Sequence, residues 1–276
     1  MELSKRLRAV ADLVGEGCVL ADIGTDHAYV PLFLLECGRI PSAIAMDVNR
    51  GPLERAKVNV RSSGYEDCID LRLSDGFAAL MPGEAKSAVI AGMGGPLTIR
   101  ILKEGARTVR ALDECILQPQ SEVEQVRAFL LGEGFSFLEE DMVEEDGKYY
   151  PMMKVRPPAE SGEHEDACAG PDDACASPDN ACAGPDDARQ WDRTELRYGR
   201  LLLRKRHPVL EQFLEREIRL RKDLLARLET EETSRAAARM GEIKEELECA
   251  EKGMEYYALQ RNHTGDRSHI PGGCGS

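Results

Sequence analysis

The chain has 276 residues, 42% hydrophobic and 31% charged, with a formal net charge of −14 at pH 7. This length accommodates one full α/β domain and a smaller one, and without a run of about 18 apolar residues no transmembrane helix is expected. The acidic balance argues at first against a nucleic-acid partner, but it is unevenly spread: Glu160 to Ala188 carries nine acidic residues and no Lys or Arg, while Arg193 to Lys222 carries ten basic residues against four acidic ones.

Met1 to Val14 mixes charged and apolar residues and has no long apolar core or small-residue cleavage site. It does not read as a secretory signal, and the expected location is the cytoplasm. The periodicity predicts a helix over Glu2 to Val14, with Leu3, Leu7, Val10 and Val14 on one face and Lys5, Arg6 and Arg8 on the other. Short apolar runs then alternate with helical stretches. Strands are expected at Cys18–Gly24, Ser42–Val48, Ile69–Gly76, Ser87–Gly92 and Glu114–Gln120. Helices are expected at Ala28–Gly38, Gly51–Gly64 (closing on glycine), Pro96–Arg110 (proline in its first turn) and Ser121–Gly134. The last begins with Ser121 and Glu124 spaced as a capping box. Phe135–Glu144 and Tyr149–Arg156 read as a hairpin about Asp146-Gly147. Alternation of this kind predicts an α/β fold with a parallel sheet, and the terminal hairpin adds an antiparallel edge of the sort found in class I Rossmann-like methyltransferases.

Ala167 to Asp187 is three copies of a seven-residue unit, ACAGPDD, ACASPDN and ACAGPDD. A proline in each copy breaks helices, and there is too little apolar bulk to offset the entropy of ordering. An acidic, disordered insert is expected. Beyond it, Val209–Leu228 and Met240–Tyr257 read as long amphipathic helices. Met240, Ile243, Leu247, Ala250, Met254 and Tyr257 form a heptad seam, faced by Leu210, Leu214, Ile218, Leu224 and Leu228. The short connection favours a C-terminal antiparallel α-helical coiled coil. The expected organisation is a catalytic domain at 1–157, the insert at 158–190, the helical domain at 191–262 and a flexible tail at 263–276. The nine cysteines include no CxxC pair, so no metal site is expected.

Ligands in open α/β sheets bind at the carboxyl ends of the strands. The first strand ends in Asp22-Ile-Gly24-Thr-Asp26-His27-Ala28-Tyr29. Gly24 permits a tight turn and close ligand approach. The segment is not GxGxxG, and no phosphate cradle follows, which disfavours a dinucleotide. A cofactor without phosphates, such as S-adenosylmethionine, fits better: Asp22 is placed for its ammonium and Asp47, ending the second strand, for a ribose diol. Asp75, followed by Gly76 at the end of the third strand, is placed for an adenine amino group. The fourth strand ends in Gly92-Met93-Gly94-Gly95, which leaves room for a flat substrate, with Met93 against a base.

DIGTDHAYVP (Asp22 to Pro31), DVNRGPL (Asp47 to Leu53), LSDGF (Leu73 to Phe77), IAGMGG (Ile90 to Gly95) and LQPQ (Leu117 to Gln120) occur in this order, and over Met1 to Arg156 the chain resembles the bacterial tRNA (adenine-22-N1)-methyltransferase family, TrmK. The resemblance implies methyl transfer from S-adenosylmethionine to N1 of an adenine in the D-arm of tRNA. It implies that Asp22, Gly24, Asp47, Asp75, Gly76 and Gly92 hold the cofactor. Asp26, His27 and Tyr29 would face the reacting base, with Met93, Gly94 and Gly95 shaping its pocket. Basic residues must hold the RNA backbone, and the candidates are Lys5, Arg6 and Arg8 together with Arg193, Arg197, Arg200, Arg204, Lys205 and Arg206. A monomer working without membrane or obligate metal is expected. Alternatives are a methyltransferase for another substrate, or a non-catalytic tRNA-binding module. The missing fingerprint leaves a Rossmann oxidoreductase weakest.

Overall fold

A computed structural model describes residues 1–158, 190–230 and 234–261. The acidic repeat and the C-terminal tail lie outside the described residues. The chain divides into two compact units between Gln190 and Trp191.

The first unit holds helices α1 (Lys5–Leu13), α2 (Tyr29–Glu36), α3 (Arg50–Ser63), α4 (Gly95–Glu104), α5 (Ala106–Arg110) and α6 (Val123–Gly132). Its strands are β1 (Leu20–Ile23), β2 (Ala43–Asp47), β3 (Ile69–Leu73), β4 (Ser87–Met93), β5 (Glu114–Pro119), β6 (Ser136–Glu145) and β7 (Lys148–Arg156). They form one seven-stranded sheet in the order β3-β2-β1-β4-β5-β7-β6. β1 to β5 are parallel, and β7 joins β5 antiparallel and pairs with β6. Every residue of β1 is buried, as expected of a central parallel strand covered on both faces. One face packs α1, α2 and α3 through Val10, Leu32, Leu34, Ala56 and Val60 onto Leu20, Ala45, Val89 and Ile116. The alternation of strand side chains turns Ile90 and Leu117 the other way, where α4 lies on β4 and β5 and packs against α6. The hairpin turns on Asp146 (φ 53°) and Gly147 (φ 74°), the two positive values that a type I′ turn requires.

Two expectations fail locally. The helix foreseen over Pro96–Arg110 breaks at Gly105 into α4 and α5. A Cβ at Gly105 would lie 2.5 Å from Cδ2 of Phe77, so the chain bends where the backbone is pressed against that ring. The capping box at Ser121 does not form either: α6 starts at Val123 after Glu122, whose φ is 45°, with no side-chain cap. Ser121 instead serves the neighbouring turn, its carbonyl accepting from the Gly95 N–H at 3.1 Å and its hydroxyl at 3.3 Å. This docking leaves no space at Gly95, where a Cβ would meet the Ser121 carbonyl oxygen at 2.6 Å. Backbone cannot swing away as a side chain can. The overpacking cost of about 1–3 kcal/mol therefore outweighs the roughly 1 kcal/mol by which alanine favours a helix over glycine. Gly95→Ala is expected to lower the melting temperature by several degrees in a thermal scan, and an unchanged or raised value would contradict this packing.

The second unit contains α7 (Arg193–Tyr198), α8 (Arg200–Arg204), α9 (Pro208–Leu228) and α10 (Ser234–Arg261). α7 opens with a reciprocal capping box between Asp192 and Glu195. α9 and α10 run antiparallel: the Tyr257 hydroxyl donates to the His207 carbonyl at 2.9 Å, Leu214 packs on Gly253, and Arg221 donates to Glu246 at 3.0 Å. Ile243, Ala250 and Tyr257 are buried, and Met240, Leu247 and Met254 are half-buried. On α9 the predicted stripe drifts by one residue at its far end, where Leu225 is half-buried and Leu224 exposed. No described helix is long and apolar enough to cross a membrane.

Candidate active site

The carboxyl ends of β1 to β5 lie side by side, so the residues that follow each strand gather along one edge of the sheet. Gly24 (φ 76°) turns the chain after β1, and both its N–H and that of Thr25 donate to the Met46 carbonyl at 2.8 Å. Asp22 is only 7% exposed. Burial is the main cause that raises its carboxyl from the ordinary 3.8 to about 6; the Thr25 hydroxyl opposes this, and the charge of Asp47 adds to it. Thr25 Oγ1 is itself buried without a hydrogen-bond partner. It is near enough to favour the carboxylate without a well-formed bond. Among the described residues no cation pairs with Asp22. A buried carboxylate with an orphaned hydroxyl beside it suits a cationic, hydrogen-bonding guest. The space that a Cβ would take at Gly24 holds the end of the Met93 side chain, with Cε 2.0 Å from that position, a flexible group that can swing aside for a guest.

Asp47 is half-buried and accepts from the Asn49 N–H at 2.7 Å. Val48 beside it is exposed and apolar, a face for a flat ring that the sequence reading did not single out. Asp75 is exposed, with Oδ1 at 3.3 Å from Nη2 of Arg100. Gly76 (φ 56°) follows, and both residues line a cavity of about 400 Å³ on the side of α4 and α5.

The loop after Gly24 is strained and clamped. His27 (φ 67°) and Ala28 (φ 55°) both occupy the left-handed region, at a cost on the order of 1 kcal/mol each. α3 holds them there. Asn59 Nδ2 donates to the His27 carbonyl at 3.0 Å and lies 3.4 Å from His27 Nδ1. One turn earlier on the same helix face, Arg55 donates to Asp26 Oδ1 at 2.8 Å from Nη2 and 3.2 Å from Nε. His27 Nε2 is 3.5 Å from the same oxygen. The His27 and Tyr29 rings stack at 4.9 Å with 5° between their planes. Asp26, His27 and Tyr29 thus form one cluster, in which Asp26 is 62% exposed and ion-paired. Sequence reasoning missed Arg55 and Asn59, which lie 29 and 32 residues from their partners; their spacing of four on one helix was the available signal.

At the end of β4 the ladder bulges at Gly92 (φ 79°). Its N–H donates at 3.2 Å to Oε1 of the fully buried Gln118, which also accepts from Arg6 Nη1 at 3.0 Å. Arg6 therefore reaches the strand ends rather than lying on an outer face with Lys5 and Arg8. Lys5 donates to the Glu144 carbonyl, and Arg8 pairs with Asp12 at 3.0 Å. Gly92 has room around it, a Cβ at Gly94 would press on the Ser121 hydroxyl at 3.2 Å, and buried Gly95 is a packing residue rather than pocket wall.

The second unit corrects the basic candidates. Arg200 is 3% exposed, donates from Nε and Nη2 to the two oxygens of Glu195 at 2.8 Å each, and lies over the Trp191 ring. It is a fold cation and not an RNA contact, because a buried charge needs its partner. Arg197 is half-buried, 3.9 Å from Glu246. Arg204 and Lys205 are exposed, Arg206 is half-buried, and Arg193 is exposed and pairs with Glu245 at 2.9 Å. Among the described residues no group of three or more His, Cys, Asp or Glu side chains could hold a metal ion.

The sequence pattern of the methyltransferase domain family matches residues 3–153. The tRNA (adenine(22)-N(1))-methyltransferase of Bacillus subtilis (strain 168) is 38% identical over 170 residues, 62% of this chain and 70% of that protein. The crystal structure of the B. subtilis M1A22 tRNA methyltransferase TrmK superimposes with a TM-score of 0.71 and 26% identity, covering 92% of this chain and 99% of that one. Streptococcus pneumoniae Sp1610, solved in complex with S-adenosyl-L-methionine, superimposes with a TM-score of 0.72 and 29% identity over 92% of this chain and 100% of that one.

Proposed function

The chain belongs to the tRNA (adenine-22-N1)-methyltransferase family, and from that premise we infer that it transfers a methyl group from S-adenosylmethionine to N1 of adenine 22 in tRNA. The observation that carries the reading is the buried Asp22, without a cation partner among the described residues, beside the orphaned Thr25 hydroxyl, at a strand end where Gly24 turns the chain.

S-adenosylmethionine supplies an electrophilic methyl on a sulfonium. Asp22 would take its ammonium, Asp47 the ribose hydroxyls and Val48 one face of its purine, with Asp75 and Gly76 at the purine amino edge and Gly92 closing the site. Adenine N1 is unprotonated at neutral pH and carries its lone pair, so no general base has to act first. It is also a Watson–Crick edge atom, so the base must leave its stack to react. The stacked His27–Tyr29 pair offers that base a flat surface, and Met93 and Gly94 line the opposite approach. The product base is cationic. Asp26, held in place by Arg55, would favour the charge as it develops, and alignment of the reactants supplies much of the remaining acceleration.

We assign the chemistry to residues 1–157 and tRNA contacts to 191–262 as well, through Arg197 and Arg204, with the acidic insert at 158–190 and the tail at 263–276 outside both tasks. Arg6 would meet RNA at the mouth of the site, and Lys5 and Arg8 farther out along α1. The proposed enzyme is a cytoplasmic monomer that needs no metal. The test is to incubate the chain with unmodified tRNA and methyl-labelled S-adenosylmethionine, digest the RNA and identify the labelled nucleoside. Label in 1-methyladenosine is expected. The Asp26→Ala variant should retain cofactor affinity and lose roughly 10- to 100-fold in kcat. Equal rates from both proteins would remove Asp26 from the mechanism and leave the enzyme standing.

A further inference from the structure

α3 does not fully cover the edge strand β3. Between them runs a groove of about 580 Å³, outside the site described above. Leu53 of α3 and Leu71 and Leu73 of β3 lie on its floor, and Leu73 is 51% exposed. Arg50, Lys57 and Arg61 line its rim. They recur at i, i+7 and i+11 and so share one stripe of the helix. At 1.5 Å per residue, Arg50 and Lys57 are about 10 Å apart along the axis, and Lys57 and Arg61 about 6 Å. That is the scale on which phosphates recur along an extended polynucleotide strand.

No acidic side chain neutralises these three cations, in contrast to the other arginines around the strand ends. Arg55 serves Asp26, Arg72 serves Asp70 and Glu84, and Arg100 serves Asp75. The side chains of Arg50, Lys57 and Arg61 are exposed and make no ion pair or hydrogen bond among the described residues. Glu54 and Glu66 also line the groove, yet neither comes within ion-pairing distance of the three. The Arg50 end of the groove is close in sequence to the reaction site. Arg50 opens α3 three residues after Asp47, and the same helix holds the Asp26–Ala28 loop through Arg55 and Asn59.

We propose that this groove is a docking surface for tRNA, in which Arg50, Lys57 and Arg61 hold backbone phosphates beside the methylated base and the leucine floor takes the face of an unstacked neighbouring base. The inference rests on the function proposed above. Unpaired cations at phosphate spacing favour a polyanion over an apolar partner, and a strand leaving the reaction site passes over them.

The test uses the full chain carrying Arg50→Gln, Lys57→Gln and Arg61→Gln together. The dissociation constant for unmodified tRNA is measured by fluorescence anisotropy across a salt series, with S-adenosylmethionine affinity as the control for an intact fold. The expected result is binding weakened roughly tenfold or more near physiological salt, with a log–log salt dependence shallower by about two to three. KM for tRNA should rise and kcat at saturating tRNA should hold. A second triple variant, Lys86→Gln, Arg110→Gln and Arg156→Gln, removes equal charge from exposed positions at the opposite edge of the sheet and should bind nearly as the native chain. Unchanged tRNA affinity and salt slope in the first variant, with cofactor affinity retained, would overturn the proposal, as would an equal loss in the second. If the native chain neither binds nor methylates tRNA, the proposed function itself falls. Methylation by the native chain together with an indifferent first variant removes the groove alone.

Discussion

Asp22→Asn is expected to lose about 100-fold in affinity for S-adenosylmethionine and, without cofactor, to melt at a higher temperature than the native chain at neutral pH. Both effects come from one buried carboxylate. Its pKa of about 6 lies above the ordinary 3.8, so the folded chain holds the proton more tightly than the unfolded one. Stability therefore falls as pH rises from about 4 to about 6, and the full cost of ionising a buried group, on the order of 2–3 kcal/mol, is present at pH 7. An amide removes that cost. It also removes the charge that would meet the ammonium, and a charge-assisted hydrogen bond of about 3 kcal/mol is worth roughly 100-fold in affinity. Native affinity should also weaken by nearly tenfold per unit as pH drops below about 6, because protonated Asp22 has nothing to offer a cation. Calorimetric titration between pH 5 and 8, with a melting curve of each protein, checks all three statements. A variant that is less stable and still binds would show Asp22 to be an ordinary structural acid.

The largest stability effect is expected at Arg127 and Glu140. Arg127 on α6 donates from Nε to Glu140 on β6 at 2.8 Å, with side chains 1% and 0% exposed. Removing one member leaves a charge buried without compensation, at a cost of about 3–5 kcal/mol. In a chain of this size that lowers the melting temperature by roughly 10 °C or more. Arg127→Met and Glu140→Leu should each show it. The double variant, which buries no charge, should recover most of the loss, since apolar replacement of a buried pair is often neutral. Additive losses in the double variant would mean that the two residues contribute separately. The tether matters beyond stability, because it anchors the edge hairpin to the helix that follows β5, the strand whose Gln118 fixes Gly92.

Much of this architecture was legible in the sequence for a simple reason. A short apolar run that ends in an acid and a glycine marks a buried parallel strand and its functional end at once, as at Asp22-Ile-Gly24 and Ser74-Asp75-Gly76. What stayed hidden depends on partners far along the chain. The break at Gly105 exists because Phe77 presses on the backbone there. Ser121 abandons its expected cap because Gly95, on another loop, takes both of its acceptors. Arg200 reads as surface charge until Glu195 and Trp191 enclose it. Arg55 and Asn59 read as one more polar helix face until folding sets them against Asp26 and His27. Periodicity places a side chain on its element, but the chemistry of a site is decided by which elements meet.

The central claim is position-specific, so the most direct test reads position. A tRNA transcript is incubated with the chain and S-adenosylmethionine, and reverse transcription is followed nucleotide by nucleotide, since a methyl on N1 blocks Watson–Crick pairing. The expected result is a new stop at adenine 22, absent when that adenine is replaced by guanine and strongly reduced with Asp22→Asn at S-adenosylmethionine concentrations near the native dissociation constant. Methyl incorporation without a stop at adenine 22, or a stop that survives its replacement, would contradict the assignment.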